Sequence, residues 1–361
     1  MANEYGAIAF TEAWYKTRET DFMQRNESRA SIYGILDTAL IDNANKLLSN
    51  AQIEVLRTAA ERPVKIPVLK KEAVGTSTAR VCAGTGVGDS AVVTPTWATI
   101  NEQFSLSVDQ LLGTSIIDPN SILRQRIRER IKSIDSRLDT AGNAFLVANK
   151  SDGLGTHYTR VTNDAQVPLA DHTVSPNTAA LWLNYASQEM FENDYSPMYN
   201  IVGSPGVKAS IMPMLAQGVG NQTNLAFQDG EFMKRFSNRV TVDTANDVGT
   251  AFIMPEGMFT LLTWTKPKNR TNLSALGFEG IQEVGGWIIA GNDFWGMVAH
   301  PVYGFPIEVK GKLSCNDNSA NMLDAQDDLL YQISLSFDYA YLKAYTSDTN
   351  TGIYKYELKK A

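Results

Sequence analysis

The sequence predicts an α+β protein in which one very long helix and one very long strand share a core. Three observations carry that expectation. Apolar residues fall at Leu123, Ile127, Ile131, Ile134, Leu138, Ala141 and Phe145, in steps of three or four, which is one unbroken helical stripe. Near the C-terminus Tyr331, Ile333, Leu335, Phe337, Tyr339 and Tyr341 occupy every second position, against Gln332, Ser334, Ser336, Asp338 and Ala340, the two-residue period of a strand. Between these lies a mixed region of short helical and strand patterns.

Taken in order, residues 1–30 are polar and charged, with Tyr5, Phe10, Trp14, Tyr15 and Phe22 spaced among them. They read as an arm that orders against something else. Ser31–Leu48 predicts a helix on Ile32, Leu36, Leu40, Ala44 and Leu47, and Ala51–Ala60 a shorter one ending near Pro63. Val64, Ile66 and Val68 then alternate as a strand, and Ala91, Val92 and Val93 open its return around a glycine-rich tip, Gly84–Asp89. An isolated hairpin of this kind is marginal in water, so it needs another surface to lie on. The return continues as an alternating segment with Phe104, Leu106 and Val108 on one face and Ser105 and Ser107 on the other.

Asp118 and Pro119 supply an N-cap and a first helical residue for the long helix, expected over 119–149 and about 45 Å long. Ser151–Ser175 reads as a polar surface connection. Helices are expected over Pro176–Phe191 and Val207–Leu215, with a strand at Met198–Val202 and a turn at Gly203–Gly206 between them. From Arg239 strands dominate: Val240 and Val242 alternate, and Ala251–Met254, Met258–Trp264, Trp287–Ala290, Gly296–Ala299 and Ile307–Val309 follow.

At 361 residues the chain is long for one core, so two packed domains or one with large excursions are expected. A net charge of −7 argues against global, non-specific nucleic-acid binding. Cys82 and Cys315 form neither a C-x-x-C pair nor a disulfide ladder, which fits a reducing compartment. With no signal peptide and no apolar run of membrane-spanning length, the expectation is a soluble protein, intracellular at synthesis, with no membrane partner.

Concentrated chemistry is absent. His157, His172 and His300 form no metal motif, and Gly84, Gly86 and Gly88 fit neither phosphate-loop spacing. Gly203–Gly206 is not a nucleophile elbow, because glycine directly precedes Ser204. Asn316–Asn321 resembles part of a calcium loop but lacks its glycine and its closing glutamate. No catalytic residue, metal site or cofactor is assigned, and the chain is expected not to be an enzyme.

One electrostatic anomaly remains. Arg124, Arg126, Arg128, Arg130, Lys132 and Arg137 face only Glu129 and Asp135 on the first part of the long helix. Arg124 and Arg128, and likewise Arg126 and Arg130, repel at i, i+4 unless acids elsewhere answer them. The face Arg124, Arg126, Arg128, Arg130 reads either as solvated with intramolecular partners or as a contact for a neighbouring subunit or nucleic acid.

The order of arm, two-stranded excursion, long helix, mixed region and long alternating strand resembles the major capsid protein of tailed bacteriophages, the Hong Kong 97-type fold. Tyr199–Pro205, Phe252–Gly257 and Ala299–Val309 share that family's character. The resemblance implies an N-terminal arm with short helices at 1–62, an E-loop at 63–115 and a spine helix with peripheral domain at 116–180. It implies an axial domain at 181–310 and a return to the peripheral domain at 311–361. It implies a homo-oligomer of hexamers and pentamers closing an icosahedral virion shell around double-stranded DNA, which is touched non-specifically. Scaffold, portal and cement proteins follow as further partners, with synthesis and assembly in the host cytoplasm. No coiled-coil segment precedes the arm, which implies a separate scaffold or none. Some members crosslink an E-loop lysine to a neighbour's asparagine, but no motif here marks such a pair.

Lys70, Lys71, Arg80, Trp97 and Phe104 are the candidates for intersubunit contact, the two aromatics because large rings dominate interface energies. For each aromatic the alternative is burial in its own subunit. Competing readings are an encapsulin-like compartment shell, a tail tube or sheath subunit, and an enzyme on an α/β scaffold.

Overall fold

The computed structural model describes residues 2–16, 33–41, 52–53, 55–56, 59–63, 65–69, 90–107, 119–150, 159–162, 165–168, 172–174, 182–192, 195, 198–218, 232–267, 281–284, 287–290, 293–315, 329–344 and 352–359. Five helices stand out: α1 (Ala2–Lys16), α2 (Gly34–Ile41), α3 (Pro119–Ala148), α4 (Trp182–Glu192) and α5 (Pro205–Gly218). The 30-residue α3 matches the sequence expectation closely, and Leu123, Ile127, Ile131, Ile134 and Leu138 of its stripe are buried. Asp118, its expected cap, lies outside the described residues.

A seven-stranded antiparallel sheet packs on α3, built around β15 (Leu329–Lys343). β3 (Ala98–Ser107) runs along one edge of β15, with Ile333 opposite Phe104. Along the other edge β14 (Pro306–Cys315) pairs with its first half and β10 (Phe259–Trp264) with its second. β13 (Asp293–Ala299), β12 (Trp287–Ala290) and β11 (Ile281–Val284) continue outward from β14. The two-residue period sorts the faces. Ile100, Glu102, Phe104 and Leu106 of β3 are buried, while Asn101, Gln103 and Ser105 are exposed.

The second sheet has five strands in the order β6 (His172–Val174), β16 (Tyr354–Lys359), β9 (Asp247–Pro255), β7 (Tyr199–Gly203), β8 (Phe232–Phe236). With α4 and α5 it encloses its own core, in which Trp182, Tyr199, Ile201, Val207, Ile253, Tyr354 and Tyr356 are buried. Its other face contributes Val202, Phe252 and Met254 to the larger core under α3. Two hairpins stand apart from both sheets: β1 (Ile66–Leu69) with β2 (Ser90–Val93), and β4 (Thr159–Thr162) with β5 (Ala165–Pro168).

Several expectations need correcting. Over Ala2–Lys16 the supposed arm is a helix folded onto its own chain: Ala7, Phe10, Ala13 and Trp14 are buried, and Trp14 Nε1 donates to the Ala299 carbonyl at 3.2 Å. The polar look of the stretch hid one apolar face at helical spacing. Val240 and Val242 do not form a strand. Asp243 accepts a hydrogen bond from the Ala245 N–H at 3.1 Å and from the Asn246 side chain at 2.8 Å, a local turn that competes with extended pairing. The strand begins at Asp247 instead. Residues 151–175, read as a connection, hold β4, β5 and β6. β15 is not the last strand, because β16 follows it with Tyr354, Tyr356 and Leu358 buried. Between β9 and β10 the chain turns at Gly257, whose φ is 76°.

Candidate assembly surfaces

The basic face of α3 is answered chiefly from β3. Glu102 lies on the buried face of β3, 4 % exposed, and its carboxylate takes Arg137 Nε at 2.8 Å, Arg130 Nη1 at 3.4 Å and the Ser133 hydroxyl at 3.0 Å. Arg126 pairs with Glu129 at 3.5 Å on the same helix, and Arg124 donates to Ser121 Oγ at 3.2 Å. Arg128, half-buried, also has a partner within the chain. The like-charge crowding along α3 is therefore relieved in part by an acid from another element, invisible to a helix-by-helix reading. Glu102→Ala is expected to cost about 1–2 kcal/mol by urea denaturation, because both arginines are partly exposed and return to water once released.

Opposite α3, the outer face of the large sheet is polar. Register places Lys310, Ser334 and Gln103 in one rung and Lys312, Gln332 and Ser105 in the next. They line a shallow depression of about 380 Å³ floored by Phe104 and Ile333. It holds two cations, amides and hydroxyls, suited to surface contact and without a nucleophile–base pair.

The third surface is the root of the β1–β2 hairpin. Ile66 is buried against Leu262 and Leu342, with Trp97 and Val93 packed beside them. Trp97 Nε1 donates to the Pro63 carbonyl at 2.8 Å, and Trp264 Nε1 to the Ala59 carbonyl at 3.1 Å. Trp97 thus anchors the hairpin's base to its own chain. Phe104 is 7 % exposed in the large core. Both rings are engaged within the subunit. Lys70, Lys71 and Arg80 lie outside the described residues, as do the glycine-rich tip and Asn316–Asn321.

A buried polar node, missed in the sequence, joins α2 to α3. Gly34–Leu40 is buried throughout, so α2 has no wet face. Tyr33, the residue before it, has no side-chain acceptor to spare for the helix's first amides. Asp139 of α3 supplies one instead: its Oδ1 accepts the Ile35 and Leu36 N–H groups at 3.0 Å each, and its Oδ2 accepts the Ser237 hydroxyl. Burial raises the Asp139 pKa to about 6, against the lowering effect of those hydrogen bonds, and the nearby Asp37 adds to the rise. Asp37 accepts the Tyr303 hydroxyl, and Tyr341 Oη donates to the Leu138 carbonyl at 2.8 Å. The signal available in the sequence was a pair of acids, Asp135 and Asp139, set i, i+4 against the apolar stripe.

His300 belongs to the same node and is 1 % exposed. Its Nδ1 accepts the Val302 and Tyr303 N–H groups at 3.2 Å, so the ring proton sits on Nε2, 3.0 Å from Asp135 Oδ1. Stacked against both Tyr303 and Phe305 and sealed from solvent, it organises the β13–β14 turn. Among the described residues no cluster of His, Cys, Asp or Glu could hold a metal, and no helix is long and apolar enough to cross a membrane.

The chain's course resembles that of several solved structures. A structure from Mycobacterium phage Adephagia shares 12 % identity over 82 % of this chain and 85 % of its own, with a TM-score of 0.40. The capsid of Myoviridae phage XM1 shares 9 % identity over 84 % and 88 %, TM-score 0.39. An encapsulin complex from Synechococcus elongatus shares 8 % over 75 % and 76 %, TM-score 0.34. No family model and no curated protein matches the sequence. At these identities and scores no residue's role transfers to this chain.

Proposed function

We propose that this chain is the major capsid protein of a tailed bacteriophage, a structural subunit that self-assembles as hexamers and pentamers into an icosahedral shell around double-stranded DNA. The observation that carries the reading is the placement of the β1–β2 hairpin. It is rooted in its own core by Ile66 and Trp97, yet among the described residues its strands pair only with each other. Such a ribbon leaves backbone edges and the exposed Val92 for a neighbour to cover. In this reading residues 63–115 are the E-loop, α3 is the spine of a peripheral domain, and the five-stranded sheet with α4 and α5 forms the axial domain. Lys70, Lys71 and Arg80 face the neighbouring subunit, and the basic face of α3 meets subunit or DNA. Scaffold, portal and cement proteins are the remaining partners of a shell built in the host cytoplasm and ending in the virion.

Negative-stain electron microscopy of the purified chain, with size-exclusion chromatography alongside, tests the class. Closed uniform shells or rings of five or six subunits are expected. A monomer near 40 kDa, unchanged by concentration or by a co-expressed scaffold, would overturn the reading. Shells that copurify with a protein cargo and exclude DNA would move it to a compartment shell.

A further inference from the structure

We propose that Asp139, Ser237 and the first turn of α2 form a proton-operated latch that seats α2 between the two cores, tight when the carboxyl is neutral and loosened when it ionises. This goes beyond the shell reading and stands independently of it, since it concerns the single subunit. α2 touches both sheets: it contacts α3 and β10 on one side and β7 and β8 on the other. Its N-terminal amides are held by one carboxylate oxygen, so the seat depends on Asp139.

The surroundings favour a neutral carboxyl. Asp139 is completely buried, with Asp135 on its own helix and Asp37 of α2 buried nearby. Tyr33 precedes α2, Tyr341 comes from β15, and His300 and Tyr303 come from the β13–β14 turn. Arg239 is exposed, and its charge acts on Tyr33. His300 presents Nε2 to Asp135, not to Asp139.

The hydrogen-bond geometry accommodates the proton without rearrangement. With Oδ2 protonated, Oδ1 keeps both amides of α2. The Oδ2–H then donates to Ser237 Oγ, whose own hydrogen turns away while the oxygen continues to accept the Arg239 N–H at 2.9 Å. The linkage follows in sign. A carboxyl whose pKa is raised in the folded chain binds its proton more tightly there. Its contribution to stability is fully present below the ordinary 3.8 and is lost as pH rises through about 6. Mild acid tightens this joint, the reverse of the usual effect of protonating a salt-bridged carboxylate.

Hydrogen exchange on the full chain, corrected for the intrinsic pH dependence of amide exchange, reads the seat directly. The α2 amides are expected to open about tenfold more readily near pH 8 than near pH 5. Asp139→Asn, which keeps the acceptor and donates from its amide to Ser237, is expected to give the acid-like protection at both values. Ser237→Ala removes a hydrogen bond that favours the ionised form and is expected to move the midpoint to higher pH. Corrected exchange of α2 that is flat with pH in the unmodified chain would overturn the latch. So would an Asn variant that retains the full pH response, or a midpoint unmoved by Ser237→Ala should the Asn variant fail to fold.

Discussion

A chain in which residues 71–88 are replaced by a two-residue turn is expected to fold normally and to form no closed shell. The β1–β2 register pairs Ile66 with Val93 and Leu69 with Ser90, so the two strands run side by side toward the replaced segment and a short hairpin turn can join them. What ties the ribbon down lies at its base, where Ile66, Leu262, Leu342 and Trp97 meet, and none of these is removed. A two-stranded ribbon contributes little stability by itself. The melting temperature should therefore shift by no more than about 2 °C, a change of under about 1 kcal/mol. Assembly should be lost outright, because a clasp repeated on every subunit acts in concert and its deletion removes every copy. Electron microscopy beside a thermal melt separates the outcomes. A stable variant that yields free subunits or open rings supports the clasp, and normal particles would remove the hairpin from the assembly mechanism.

The parts of the fold that were legible in the sequence are those whose local pattern and burial agree. On α3 nothing interrupts the stripe from Leu123 to Leu138, and every residue of it is buried. β15 alternates because one face meets α3 while the other carries the polar rungs of Gln332 and Ser334. Where tertiary context decides, the pattern failed. Val240 and Val242 alternate, but Asp243 draws the chain into a turn. Tyr354 and Tyr356 also alternate, and their strand exists only because β9 and β6, distant in sequence, lie on either side. The site shows the same limit. The charge imbalance on α3 was visible, yet its main answer, Glu102, sits on a strand that reads simply as an apolar–polar alternation. The α2–α3 node joins residues 33–37, 135–139, 237 and 300–303, and no local window contains it.

Gly142→Val is expected to destabilise the subunit by about 3–4 kcal/mol, and even Gly142→Ala by about 1 kcal/mol, although alanine is the better helix former. A glycine inside an exposed helix costs roughly 1 kcal/mol against alanine, so one in the interior of the 30-residue α3 implies a compensating contact. A Cβ built on Gly142 would stand 2.6 Å from Ile35 Cγ2 and 3.1 Å from Tyr341 Oη. Neither neighbour is free to yield. Ile35 is held by its own N–H on Asp139, one turn earlier on the same helix. Tyr341 is fixed by its bond to the Leu138 carbonyl and by stacking on Phe259 at 5.0 Å and 8°. An added methyl must therefore push α2 or β15 off α3, which outweighs the propensity gain, and valine adds a second branch to the same clash. Urea denaturation measures the loss, and Ile35→Ala tests its cause. In that background the obstructing methyl is gone, so Gly142→Ala should become neutral or stabilising, a coupling of at least about 1 kcal/mol between the two sites. Stabilisation by Gly142→Ala in the unmodified chain would mean that α2 does not rest on α3 at this glycine, and would unseat the packing on which the Asp139 latch depends.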